Sequence, residues 1–481
     1  MYGWGKNDYG QLGLGSENML ISCPSPIDAN QSVISIASGL RHTVYLTSTR
    51  KVYSCGSNEF GQLGQQKSQC RPSLVTGFGA EEIFHVAAGD FFSIAIAESG
   101  LLFGWGRSLN GELMCKQDSL HEPKLLDKIM HWSVVQVACG AQHCIALTEE
   151  GTILSWGSNT QGQLGLGSSE IEFLEPTIIA SLNAFPISQI CAGAYHSGVL
   201  SPSGTLFTWG KNNWGQLGHG NSDSFQSSPR LVKTLRHQEV VFVAMGEEHS
   251  VCRTRNGGVF SWGHGGNGQL GHNSMANVTQ PKKIMELMGT TVCQICCGRR
   301  HTISLTDKRK LLGFGLNSNN QLGTHNDTSA RLPITIPISL TDDRQLSCIA
   351  AGGDQSFSGS QNESSCPLSP EYLMSAGFKQ PRRYSSKLAA VYNTLENRKL
   401  SDSAQRELAA IFSSPASLNA SFLGDNHWAT NSKNPGLSLS KCSSALVQLF
   451  RHSQSRDIII HSIKNKLIPS LPKVPPGNKI N

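Results

Sequence analysis

Three features of the sequence invite a chemical reading. Gly263-His264-Gly265-Gly266-Asn267-Gly268 has the G-x-G-x-x-G spacing with which backbone N–H groups cradle a pyrophosphate. Cys293, Cys296 and Cys297 form a C-x-x-C-C run, and thiolates are zinc ligands. Histidine follows glycine as Gly-x-x-His at His42, His143, His196, His249 and His301, and a histidine can act as base, ligand or hydrogen-bond donor. None of the three completes its chemistry. The glycine fingerprint has meaning only between a strand and a helix; here it lies in a loop that recurs in register with six others, with no helical pattern after it. Laying VCQICCG (292–298) on VVQVACG (134–140) puts Cys293 on Val135 and Cys296 on Ala138, both strand positions. No second ligand pair stands at zinc spacing. A catalytic histidine would be singular and paired with a nucleophile, whereas five at one repeated position predict a structural hydrogen bond to a neighbouring strand or loop. No hydrolase constellation or Walker loop is present. The expectation is no catalytic residue, no metal and no cofactor.

What positions these residues is a repeat of about fifty residues. Gly-Gln-Leu-Gly begins at Gly10, Gly61, Gly162, Gly215 and Gly268, with degenerate copies at Gly111 and Asn320, so the seven starts lie 51, 50, 51, 53, 53 and 52 residues apart. Five or six residues before each stands an aromatic-Gly pair or its variant: Trp4, Cys55, Trp105, Trp156, Trp209, Trp262 and Phe314, each followed by glycine. Gly-x-x-His alternates with it, and survives without histidine at Gly89/Phe92 and Gly353/Ser356. Between the landmarks, short runs such as His42, Val44 and Leu46 against Thr43 and Tyr45 alternate with period two, the pattern of antiparallel strands joined by tight turns.

About four strands per unit, seven times over, fit a solenoid or a radial propeller. The chain opens directly on Trp4-Gly5 and leaves the repeat just after Gly353 and Phe357, so the half-unit missing at the front is supplied at the back. A ring closed by one shared blade leaves no open edge. The fold class predicted is therefore all-β: a seven-bladed β-propeller over residues 1–359, its N- and C-terminal strands sharing one blade, followed by a short α-helical tail. Residues 360–386 read as a Ser/Pro-rich linker, and 387–481 as a partial α-helical spacer, from stripes such as Leu388, Val391, Tyr392 and Leu395. The formal charge of +6 divides unevenly, with 15 Lys/Arg against 7 Asp/Glu from residue 360 onward and 25 against 27 before it. A near-neutral propeller argues against specific nucleic-acid binding. No apolar run approaches the length of a membrane span. Fourteen cysteines without a secretory signal suggest reduced thiols in the cytoplasm or the nucleus.

The alternation of Trp-Gly, a polar loop, Gly-Gln-Leu-Gly and Gly-x-x-His resembles the repeat of the regulator of chromosome condensation. The tail is similar to the segment after the propeller in small HECT-and-propeller ubiquitin ligases, on Gly353-Asp354-Gln355-Ser356-Phe357, Ile411-Phe412-Ser413-Ser414, Asn419-Ala420-Ser421-Phe422-Leu423 and Leu467-Ile468-Pro469. In that family a cysteine of a C-terminal HECT module accepts ubiquitin; the dozen residues after Pro469 leave no room for one, so this sequence is expected to be a non-catalytic half. The resemblance implies a propeller that recruits ubiquitination substrates or regulators. The alternatives are a guanine-nucleotide exchange factor for a small GTPase and an architectural scaffold. Gly10, Gly61, Gly162, Gly215 and Gly268, with the five repeat histidines, are expected to be structural. The residues between glycine and histidine vary, and are read either as solvated loops or as a partner surface using Arg41, Asp90, Phe91, Tyr195, Glu247, Glu248, Arg299 and Arg300, since aromatics and arginine dominate interface energetics.

Overall fold

The computed structural model describes residues 1–362 apart from 17, 29–31 and 341–343; the linker from residue 363 and the spacer lie outside the described residues. Seven four-stranded antiparallel sheets are present. Blade 1 spans 33–74, blade 2 83–125, blade 3 134–178, blade 4 189–231, blade 5 240–283 and blade 6 292–335. The seventh takes Arg344–Gly352 and Gln355–Asn362 as its inner strands and Tyr2–Lys6 and Leu20–Pro26 as its outer ones. Tyr2 pairs with Ser358 and Gly5 with Gln355, which joins the two halves. The first strands of successive blades touch in an unbroken cycle, blade 7 to blade 1 included. The sequence prediction of a closed seven-bladed ring holds.

Five of the seven seams between blades share one recurring polar motif. The backbone carbonyl of Gln62 in blade 1 accepts both Ser93 Oγ (2.9 Å) and Trp105 Nε1 (2.9 Å) from blade 2. Ser93 Oγ, having spent its proton there, accepts from His42 Nε2 at 2.9 Å. The same circuit joins blades 3 and 4 through His143, Ser197, Gln163 and Trp209, and blades 4 and 5 through His196, Ser250, Gln216 and Trp262. It joins blade 6 to blade 7 through His301, Ser356, Gln321 and Trp4. Between blades 5 and 6 Thr302 supplies the hydroxyl, and Phe314 replaces the indole without its bond. The glycine of Gly-x-x-His is explained by the same ring: a Cβ on Gly140 would sit 2.1 Å from His143 Cε1. The glycine after tryptophan answers another constraint, since Gly157 has φ 99° and a Cβ there would meet Gln142 O at 2.6 Å.

Two repeated features went unread in the sequence. An asparagine two residues after the aromatic-Gly pair, as in Asn159, accepts the backbone N–H of the buried leucine, here Leu164, through Oδ1. The glutamine itself bonds back through Oε1, as Gln163 does to Gln161 N. Every outermost strand also carries a proline: Pro24, Pro72, Pro123, Pro176, Pro229, Pro281 and Pro333. Proline has no N–H to donate, so it suits an edge strand and discourages further pairing there. One expectation is corrected. The degenerate glycine-histidine pair of blade 7 is Gly352/Gln355, not Gly353/Ser356, because Gln355 pairs with Gly5 as His42 pairs with Gly56. Gln355 Nε2 then donates to Gly39 O (2.8 Å) and Ser38 Oγ (2.9 Å) in blade 1.

The five clamp histidines are fully buried. Each holds its proton on Nε2, so a second would go to Nδ1, which is buried without a partner. Burial lowers His42 to about 4 and His143, His196, His249 and His301 to about 3, from an ordinary 6.5. The unfolded chain therefore binds more protons below pH 6.5 than the folded one. Stability from these groups is complete above pH 6.5 and declines as pH falls toward 3–4, by up to about 1.4 kcal/mol per pH unit for each histidine. Thermal melts between pH 7.5 and 4.5 should show the midpoint falling steeply, and His249→Gln should shallow that slope; a flat profile contradicts the assignment. Trp156→Ala, which removes a wholly buried indole and its 2.9 Å bond to Glu112 O, should cost about 3–5 kcal/mol in denaturant unfolding.

Candidate partner-binding face

The register that pairs His42 with Gly56 brings two sets of loops to one face of the ring. One set is the pair of residues between glycine and histidine; the other runs from the aromatic-Gly pair to Gly-Gln-Leu-Gly. All eight candidate residues lie in the first set, on that face. Backbone bonds link this set around the axis, from Leu40 N to Asp90 O (3.2 Å), Ala141 N to Ala194 O (3.0 Å), Glu247 N to Arg299 O (3.1 Å) and Arg299 N to Gly353 O (2.8 Å). The first member of each pair thus rims the axis and the second stands outside it.

The side chains gather into clusters. In blade 2 the Arg107 guanidinium lies 4.9 Å from the centre of the Phe91 ring, and Phe60 of blade 1 meets Phe91 edge-on at 5.3 Å. Blade 4 repeats the geometry with Lys211 over Tyr195 (5.6 Å), while Lys211 Nζ also bonds Glu248 Oε1 at 2.7 Å. Burial pushes Glu248 upward, but the bond and charge of Lys211, with Trp214 and His264, together outweigh it and hold the carboxyl below its usual range. Beside it the Trp214 ring lies tilted by 50° against His264, with centroids 4.7 Å apart. In blades 5 to 7, Glu247 Oε2 accepts from Arg299 Nε (3.0 Å) and Arg300 Nε (3.1 Å), and Asn319 Nδ2 donates to Asp354 Oδ2 (3.1 Å). Arg41 lies 4.9 Å over the ring of Tyr9.

Asp90 differs from these. Among the described residues no ion pair or hydrogen bond reaches its carboxylate. Burial raises it from 3.8 to about 6, the Glu247 charge adds to this, and Arg107 and Arg299 oppose it. The rim residues of the two blades that follow, Ala141 and Ala194, are small. The face therefore offers an acid of raised pKa, ringed by aromatic rings and prepaired charges.

Sequence reasoning missed Phe60, Arg107, Lys211 and Trp214. A signal for them existed: Lys6, Arg107 and Lys211 each directly follow an aromatic-Gly pair, and Tyr9, Phe60 and Trp214 each precede the first glycine of Gly-Gln-Leu-Gly. Cys293, Cys296 and Cys297 lie along the first strand of blade 6, Val292–Cys297. Gly263–Gly268 forms the loop between two strands of blade 5.

Comparison with known proteins adds a family. The RCC1-like domain matches residues 1–358. "Probable E3 ubiquitin-protein ligase HERC4" of Rattus norvegicus is 35% identical over 97% of this chain and 46% of its own length. "Probable E3 ubiquitin-protein ligase HERC3" of Homo sapiens is 35% identical over 98% of this chain and 47% of its own. The chain thus spans about half the length of these relatives. Among solved structures, Prp20p of Saccharomyces cerevisiae, described with binding properties to Gsp1p and histones, aligns with a TM-score of 0.68 at 23% identity, over 76% of this chain and 92% of that one. Human WBSCR16 aligns with the same TM-score and identity over 75% and 98%; at such identity both speak for the fold alone. No helix among the described residues is long and apolar enough to cross a membrane.

The Glu247–Arg299–Arg300 cluster is partly exposed, so its pairing adds little to stability. Glu247→Gln should change unfolding free energy by no more than about 1 kcal/mol in chemical denaturation, leaving the variant usable as a binding probe.

Proposed function

The chain belongs to the RCC1-like domain family and is homologous to the HERC ligases over the propeller, and on that premise we propose that it recruits proteins for ubiquitin transfer. The recruiting surface is the face that carries Asp90, Phe91, Tyr195 and Glu247. The observation that carries this reading is the unpaired Asp90 carboxylate amid aromatic rings already ordered by Arg107 and Lys211. Held rings lose little freedom on docking, and buried aromatic anchors supply most interface energy. The homology supplies the pathway. A neutral propeller with its charges paired suits protein partners better than a nucleic acid.

The test compares the wild-type chain with Phe91→Ala/Tyr195→Ala in quantitative affinity capture, followed by binding titration of each purified partner. The double variant should weaken binding 10- to 100-fold, about 1.4–2.8 kcal/mol, with an unchanged melting midpoint. Captured proteins should gain ubiquitin when a HERC-type ligase is present. Partners that bind both forms alike would remove this face from the reading. Accelerated nucleotide release from a purified small GTPase would favour the exchange-factor alternative instead.

A further inference from the structure

The seam between blades 2 and 3 departs from the other six. Glu112 stands where the other loops carry glutamine, and Phe92 stands where five blades carry the clamp histidine. In the six other blades the residue after that histidine position is a hydroxyl: Thr43, Ser93, Ser197, Ser250, Thr302 or Ser356. Blade 3 has Cys144 there. Its thiol reaches the Glu112 carbonyl only at 3.8 Å. Phe92, which has no proton to donate, lies with Cys144 and Trp156 in one buried apolar cluster. A weak sulfur donor therefore stands in for the hydroxyl.

A second cysteine faces this one. Cys139 is the cross-strand partner of Cys144 in the register of blade 3, and the two sulfurs lie 3.9 Å apart. Gly140 N donates to His143 O at 2.8 Å. The next pair along, Cys139 with Cys144, is therefore of the non-hydrogen-bonded kind, in which Cα atoms stand about 4.5 Å apart. That lies within the span of about 4.4–6.8 Å that a disulfide bridges, so side-chain rotation can close the bond while the strands stay in place. Among the described residues no other blade puts two thiols at this register; blade 6 has Cys297 opposite Thr302. Cys139 is partly exposed and Cys144 is buried, so a reagent in solution meets Cys139 first. Burial, with Cys139 adding to it, pushes the Cys144 thiol well above its ordinary range, which keeps it protonated and unreactive toward that reagent.

We propose that Cys139 and Cys144 form a reversible disulfide on reaction with hydroperoxides, with Cys139 the attacking thiol and Cys144 the resolving one. Cys139 Sγ gives its proton to solvent and attacks the peroxide. The O–O bond breaks, the departing oxygen takes up a proton as water or alcohol, and Cys139 is left as a sulfenic acid. Cys144 Sγ then attacks the Cys139 sulfur. The S–O bond breaks, the S–S bond forms, and the hydroxide leaves with the Cys144 proton as water. The two thiols lose two electrons and the peroxide gains them. A dithiol reductant reverses the bond through a mixed disulfide and is itself oxidised to a disulfide. Closure draws Cys144 Sγ off the Glu112 carbonyl, which leaves Trp156 Nε1, at 2.9 Å, to hold that oxygen.

The experiment treats the full chain with hydrogen peroxide, with or without dimedone as a trap for sulfenic acids. Free thiols are then alkylated and each cysteine is mapped by mass spectrometry without reduction. Without dimedone, Cys139 and Cys144 should be found linked, lighter by two hydrogens, and dithiothreitol should restore both thiols. Oxidation of exposed Cys70 reports that the dose was sufficient. Cys144→Ser restores the hydroxyl of the other blades, so it should fold, as its melting midpoint checks. Dimedone capture at Cys139 should rise about tenfold in that variant, because the intramolecular attack no longer competes. Oxidised Cys70 without a Cys139–Cys144 linkage in the wild type would overturn the assignment. So would equal dimedone capture at Cys139 in the wild type and in Cys144→Ser, or a linkage of Cys139 to another cysteine in place of Cys144.

Discussion

A single backbone carbonyl at each seam organises this molecule. At most seams the oxygen of the glutamine in Gly-Gln-Leu-Gly takes a hydroxyl and an indole N–H from the following blade, and the hydroxyl takes a third bond from a histidine of the glutamine's own blade. All of these groups are buried, where an unmade bond is expensive. The glutamine can present its carbonyl only if its loop is fixed. Its own amide oxygen holds the loop from inside, the asparagine ahead of it caps the leucine N–H, and the leucine fills the space below. The tryptophan, meanwhile, is both a large apolar filler and a donor, which is why phenylalanine in blade 6 keeps the packing but loses the bond.

The same constraint sets the character of the candidate face. Because polar groups of the frame are consumed between blades, the residues left to vary are those at the loop tips. They appear there in coordinated pairs rather than singly. A cation after the aromatic-Gly pair lies over an aromatic ring of its own blade in blades 2 and 4. Rings preceding Gly-Gln-Leu-Gly lean on the next blade, Tyr9 under Arg41 and Phe60 against Phe91. The face is therefore preorganised across seams, and Asp90 stands out because Arg107 and Arg299 act on its charge without any direct hydrogen bond or ion pair among the described residues.

How much of this could be read beforehand follows from what repeats. The fold was legible because seven spaced copies of Gly-Gln-Leu-Gly and Gly-x-x-His demand seven equivalent units, and because Trp4 at one end and Phe357 at the other belong to complementary halves. The register of blade 7 was not, since two adjacent glycines, Gly352 and Gly353, offer two alignments and only the pairing of Gln355 with Gly5 decides between them. The outer-strand prolines and capping asparagines were legible in principle, being periodic, but they lie in stretches where polar variation masks them. The clusters on the face were half legible: residues between glycine and histidine could be named, while their partners come from other loops of the same or an adjoining blade, some fifteen to fifty residues away.

The shared blade also has a consequence for birth of the chain. Strands Tyr2–Lys6 and Leu20–Pro26 leave the ribosome ahead of the other blades, yet their sheet is finished by Arg344–Gly352 and Gln355–Asn362, which arrive about 320 positions later. At 5–20 residues per second that is a wait of roughly 16–64 s. Throughout it the nascent protein is a growing arc whose leading edge has no mate, and whoever shields that edge decides whether the circle is completed or spoiled.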